Sequence, residues 1–136
     1  MPRLTIWRGT FFMEENVKEY YGQLVNSLKV LCMDDADYGK FLPDFTDKPF
    51  EIMDGFWKAF ELMPQIVEAC LLANPAIASI LRLNNYLDWL ADKKEYKTLP
   101  DDDFFALAEW KQAKGLAREA LREMKESAEN PDIRFI

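Results

Sequence analysis

Histidine is absent from this 136-residue chain. That removes imidazole general bases, Ser-His and Cys-His nucleophile pairs, and every metal site that needs an imidazole ligand. Cysteine is nearly absent. Cys32 and Cys70 are the two present, and neither belongs to a C-x-x-C motif. Each falls among apolar residues of a predicted helix, so both are expected as buried, reduced thiols. A disulfide between them needs a geometry that spacing does not supply. Glycine is scarce at 5. Neither G-x-x-x-x-G-K-[ST] nor G-x-G-x-x-G occurs, so the glycine-rich phosphate cradles are missing.

No apolar run is long enough to cross a bilayer, which takes about 18 residues. The longest candidate, Ile66 to Leu83, is broken by Glu68, Asn74, Pro75, Ser79 and Arg82. The opening MPRLTIWRGTFF lacks a compact apolar core and a small-residue cleavage site, so a cytoplasmic protein is expected. Basic residues are outnumbered, 17 against 24 acids, for a net charge of -7. A field of that sign repels nucleic acid and anionic membranes and attracts basic proteins.

What is present describes a globular domain. Apolar residues make up 49% and charged residues 30%. Residues 1–136 are read as one domain, large enough for a core without metal or disulfide staples. Leu4 to Phe12 has strand-forming composition, within an arm over residues 1–13. Helical spacing then begins: Val17, Tyr20, Tyr21, Leu24, Val25, Leu28, Leu31 and Cys32 mark a helix over 14–32. Residues 33–48 form an acidic loop. The next helix starts near Pro49, capped by Asp47, with the stripe Phe50, Met53, Phe56, Trp57, Phe60 and Met63. Pro64 predicts a kink or break. Gln65 to Ala73, apolar nearly all round, follows as a short central buried helix.

Asn74-Pro75 predicts a cap and start for a helix over 75–94, with Ile77, Ile80, Leu81, Leu83, Leu87, Trp89 and Leu90 as its apolar face. After a polar connection, Thr98-Leu99-Pro100-Asp101 fits a capping box. The last helix is expected to run to about Glu129 and stop at Asn130-Pro131. The tail, 131–136, offers Ile133, Phe135 and Ile136 as partners for the N-terminal strand. The fold class is mainly α: four to five amphipathic helices in a bundle.

The acidic clusters do not match metal sites. With Gly39 at position 6 of a calcium loop, Ala36 and Tyr38 fall where oxygen ligands are needed, and position 12 is Phe45. Glu51-x-x-Asp54 and Glu123-x-x-Glu126 each put two carboxylates on one helical face, the minimum for a carboxylate-metal hydrolase. Asp101-Asp102-Asp103 sits where a helix dipole favours negative charge. No cofactor, metal or catalytic residue is assigned, and a non-enzymatic role is expected.

The charge is lopsided along the chain. Between Asp34 and Asp54 lie seven acids and two bases. Aromatic residues are interleaved: Tyr38, Phe41, Phe45 and Phe50. Carboxylates steer an encounter and rigid rings supply its desolvated centre. The candidate partner-binding residues are Asp34, Asp35, Asp37, Tyr38, Phe41, Asp44, Phe45 and Asp47. On the last helix, Lys111, Lys114, Arg118, Arg122 and Lys125 fall within a sector of roughly 80°. Glutamates flank that stripe, and Arg122 is placed to pair with Glu126. The stripe is also complementary to the acidic segment of a second copy, so a homo-oligomer is a further expectation.

These features lead to a small acidic binding protein that inhibits or neutralises a basic partner. Toxin-immunity proteins and phage-encoded inhibitors of nucleic-acid enzymes are its analogues at the level of class. The alternative is an oligomeric structural or assembly factor, viral or chaperone-like, and a minor alternative is a carboxylate-metal hydrolase.

Overall fold

A long helix, α1 (Arg3–Leu31), opens the chain in the computed structural model, which describes residues 16–44 and 46–132 in full. The strand expected over Leu4 to Phe12, and its pairing with Ile133, Phe135 and Ile136, lie outside these residues. Val17, Leu24, Leu28 and Leu31 recur at helical spacing and are buried. After α1 come a single turn α2 (Asp35–Tyr38), α3 (Lys48–Phe60), α4 (Met63–Glu68) and α5 (Asn74–Ala91). A 3-10 turn (Lys94–Tyr96), α6 (Asp101–Phe105) and α7 (Ala108–Glu123) complete the order. The protein is mainly α, and the described residues contain no strand.

The long helices α1, α3, α5 and α7 form an up-down-up-down bundle around one apolar cluster. Neighbours run antiparallel. The Tyr21 hydroxyl, low on α1, donates to Glu126 beyond the end of α7 (3.0 Å), while Cys32 lies against Lys114 in the middle of α7. α5 and α7 pack closely because α7 buries Ala113, Ala117 and Ala120 against α5. α3 and α5 touch only briefly, leaving that seam the most open of the four.

Capping chemistry accounts for the boundaries, including several that differ from expectation. Asp47 caps α3 as the sequence predicts: its carboxylate accepts from the Phe50 N–H at 3.1 Å. Asn74 is instead the first helical residue of α5 and caps nothing. The Thr98 capping box does not form, because α6 begins after Pro100 without a side-chain cap. The expected last helix is two helices, interrupted at Ala106 and Leu107.

Both α4 and α7 stop early on the same device. Cys70 (φ 61°) and Lys125 (φ 60°) adopt left-handed backbone. The following N–H groups, of Leu71 and Glu126, reach back to Ile66 and Leu121 carbonyls. This double closure ends a helix even without glycine.

Gln65 to Ala73 is therefore not a central buried helix. Met63, Ile66 and Leu72 are buried, but Val67, Leu71 and Cys70 are exposed. Leu81 and Trp89 on α5 are exposed too, because the face buried against α3 and α7 is narrower than the apolar stripe. Arg122 pairs with Glu119 and Glu123 rather than Glu126, whose carboxylate is taken by Tyr21. Among the described residues no helix is long and apolar enough to cross a membrane.

Two phenols tie α1 to its surroundings. The buried Tyr38 hydroxyl donates to the Val30 and Leu31 carbonyls, at 3.0 and 3.1 Å. Burial, and then the nearby Asp35 charge, push its pKa well above the tyrosine value of 10.0. Burial and the hydrogen bond to Glu126 push Tyr21 up to about 12. Folding thus favours both neutral phenols. Their stabilisation is complete below the unfolded value of 10.0 and is lost as pH rises through the folded values. Urea midpoints are expected to fall between about pH 10 and about pH 12, and Tyr38→Phe is expected to flatten that fall. An unchanged alkaline slope in the variant would contradict the assignment.

Candidate functional site

Two connections meet at one end of the bundle. Residues 33–47 link α1 to α3 and carry five acids against one base. Residues 92–107 link α5 to α7 and carry five acids against three bases. Lys48 at the head of α3 and Asp101 at the head of α6 approach to 3.6 Å, joining the two. Nearly all of the chain's net charge is therefore gathered at this end.

The sequence-predicted residues divide there. Tyr38, at 1% exposure, is a core residue and offers no ring to a partner. With buried Leu42 it pins the acidic segment to the bundle. Asp35 is neutralised from across the fold: its Oδ1 accepts from Lys114 Nζ at 2.8 Å and from Trp110 Nε1 at 3.3 Å. Lys114 also donates to the Met33 carbonyl. One pair between the acidic segment and the basic stripe, Asp35 with Lys114, is thus made within the chain. Asp37 pairs with Lys40 at 2.8 Å, and Asp47 is engaged as the α3 cap.

Asp34 and Asp44 are exposed and have no ion-pair partner among the described residues. Phe41 is half-buried, and Phe45 lies outside the described residues. Of the basic stripe, Lys114 is drawn inward and Lys125 falls beyond the helix end.

A cleft of about 320 Å³ runs down from this end between α1 and α3. Leu42 and Ile52 are buried and form its floor; Gln23, Glu51, Asp54 and Lys58 line it with polar groups. Asp54 is paired with Lys58 at 3.0 Å, whereas Glu51 has no ion-pair partner among the described residues. Gly55 opens the middle of the cleft. A Cβ built there meets nothing within 4 Å. Glycine inside a helix costs about 1 kcal/mol relative to alanine. Packing does not require it at this position. Gly55→Ala is expected to raise stability by about 0.5–1 kcal/mol in urea denaturation.

Glu51 and Gly55 were not among the predicted contact residues. The available signal was a glycine on the polar face of an otherwise regular amphipathic helix. No three carboxylates or thiols converge on a metal-sized site among the described residues. Compared with family models, curated proteins and solved structures, the chain matches none.

Proposed function

We propose that this chain is a small binding protein, not an enzyme, that inhibits or neutralises a basic protein in the manner of toxin-immunity proteins and phage-encoded inhibitors. The observation that carries this reading is the open α1–α3 cleft leading directly from the acidic end. Glu51 is the unpaired carboxylate that lines it, and Asp34 and Asp44 stand exposed and unpaired on the connection above it. They steer approach, and the apolar cleft floor receives a side chain of the partner. Asp35 is not part of the attractive surface, because Lys114 already cancels it.

The partner to test is the basic product of a reading frame beside this one in its source DNA. The triple variant Asp34→Lys, Asp44→Lys, Glu51→Lys is expected to slow association about 10-fold or more at low salt. Circular dichroism is expected to stay unchanged. Gly55→Met is expected to speed dissociation by filling the cleft. Unaltered association by a correctly folded triple variant, or neighbouring frames that encode no basic protein, would overturn the proposal.

A further inference from the structure

Helix α3 separates the Glu51 cleft from a second one of opposite character. This second cleft, of about 360 Å³, lies in the open seam between α3 and α5. Phe50, Met53, Leu90, Tyr96, Leu99 and Phe104 form an apolar wall. The Phe50 ring is 48% exposed although it belongs to the apolar stripe of α3. It meets the Trp57 ring edge-on, with centroids 6.3 Å apart. A shallower hollow along the seam is lined by Trp57, by Trp89, which is 47% exposed, and by the carboxylates Asp88 and Asp92, which confine an anionic headgroup to the Lys93–Lys97 edge of the main cleft. The Trp57 indole N–H is buried without a hydrogen-bond partner.

Lys93 and Lys97 line the cleft. Lys97 has no carboxylate within 4.0 Å among the described residues, and Lys93 reaches only Glu95, at 3.9 Å. Lys93 Nζ instead stands 4.3 Å over the Trp89 ring. Asp47 also touches the cleft, but its carboxylate is engaged by the Phe50 N–H. Two poorly matched ammonium groups beside an apolar wall are unusual in a chain of net charge -7.

We infer that this cleft binds a small amphiphilic anion: an apolar chain or ring ending in a carboxylate. The apolar part displaces water from Phe50, Met53 and Leu99, and the carboxylate sits between Lys93 and Lys97. A pocket of this size with a few polar groups at one edge is typical of small-molecule sites. Polyanions such as nucleic acid are disfavoured, because two lysines cannot offset the repulsion of the acidic end. This inference does not depend on the proposed protein partner, which engages the other side of α3.

The probe is decanoate, titrated below its micelle concentration with calorimetry and tryptophan fluorescence. Decanol and decylammonium are the neutral and cationic controls. Decanoate is expected to bind with a fluorescence change from Trp57 and Trp89, and decylammonium is expected not to bind. Lys93→Gln with Lys97→Gln is expected to weaken decanoate about tenfold while leaving decanol unaffected. Phe50→Ala is expected to weaken both. Circular dichroism confirms that each variant is folded. No decanoate binding, equal binding of decylammonium, or undiminished decanoate binding by the double lysine variant would each overturn the assignment. So would sedimentation showing this face covered by a second copy, with Phe50→Asp restoring the monomer.

Discussion

Trp110→Ala is expected to destabilise the fold by about 4 kcal/mol, the largest loss of any single truncation considered. Trp110 has 0% exposure and fills the head of the bundle beneath the acidic end. Its ring centroid lies 5.7 Å from that of Phe104 and 5.6 Å from that of Phe105. Phe105 in turn lies 5.0 Å from Tyr38. One indole therefore holds α2 and α6, two helices too short to be stable alone, against α7. Alanine leaves a cavity that two short helices cannot collapse to fill. A domain of this kind has about 5–15 kcal/mol in total, so the variant sits near its unfolding threshold. Trp110→Phe is expected to lose much less, since it keeps the aromatic packing and gives up only the N–H donated to Asp35. Urea denaturation of the two variants measures both losses. A Trp110→Ala loss below about 1 kcal/mol would contradict the packing argument.

The second large effect concerns Lys114, whose side chain is 13% exposed. Lys114→Met keeps the aliphatic stem but removes the donor to Asp35 and to the Met33 carbonyl. The expected loss is about 2 kcal/mol. The Asp35 side chain is 38% exposed, so solvent screens it and the penalty stays below that of a fully buried broken pair. Asp35→Asn alone is expected to lose about 1 kcal/mol, and the double variant less than the sum of the two, with a coupling of about 1 kcal/mol. Full additivity would show that the pair is not an energetic unit. Lys114→Met also releases the Asp35 charge. On the proposed function, it is expected to speed capture of the basic partner even as it weakens the fold.

The bundle itself was legible in the chain. Periodicity placed α1, α3, α5 and α7 because long amphipathic helices must bury one face and therefore advertise it. Asp47 with Pro49 marked the start of α3 because a cap and an N-terminal proline act through local geometry. The early ends of α4 and α7 were not legible. They depend on Cys70 and Lys125 adopting left-handed backbone, which these residue types do not signal. Leu81 and Trp89 read as core because hydropathy cannot say how wide a face the neighbouring helices will cover.

The candidate site divides in the same way. Composition along the chain located the acidic segment and most of the charge that the proposed function uses. It could not distinguish a free carboxylate from a cancelled one. Asp34 and Asp35 are adjacent and chemically identical, yet one faces solvent and the other meets a lysine 79 positions away. Tyr38 and Phe50 are both aromatic residues of one acidic stretch, yet one is core and the other half open to solvent. The sequence alone determined the helices, the sign of the field and the chemistries ruled out, because those follow from local spacing and residue type. Which charges remain available, and which clefts stay open on either side of α3, was decided only by the tertiary structure, because pairing and exposure depend on neighbours that the fold brings from far along the chain.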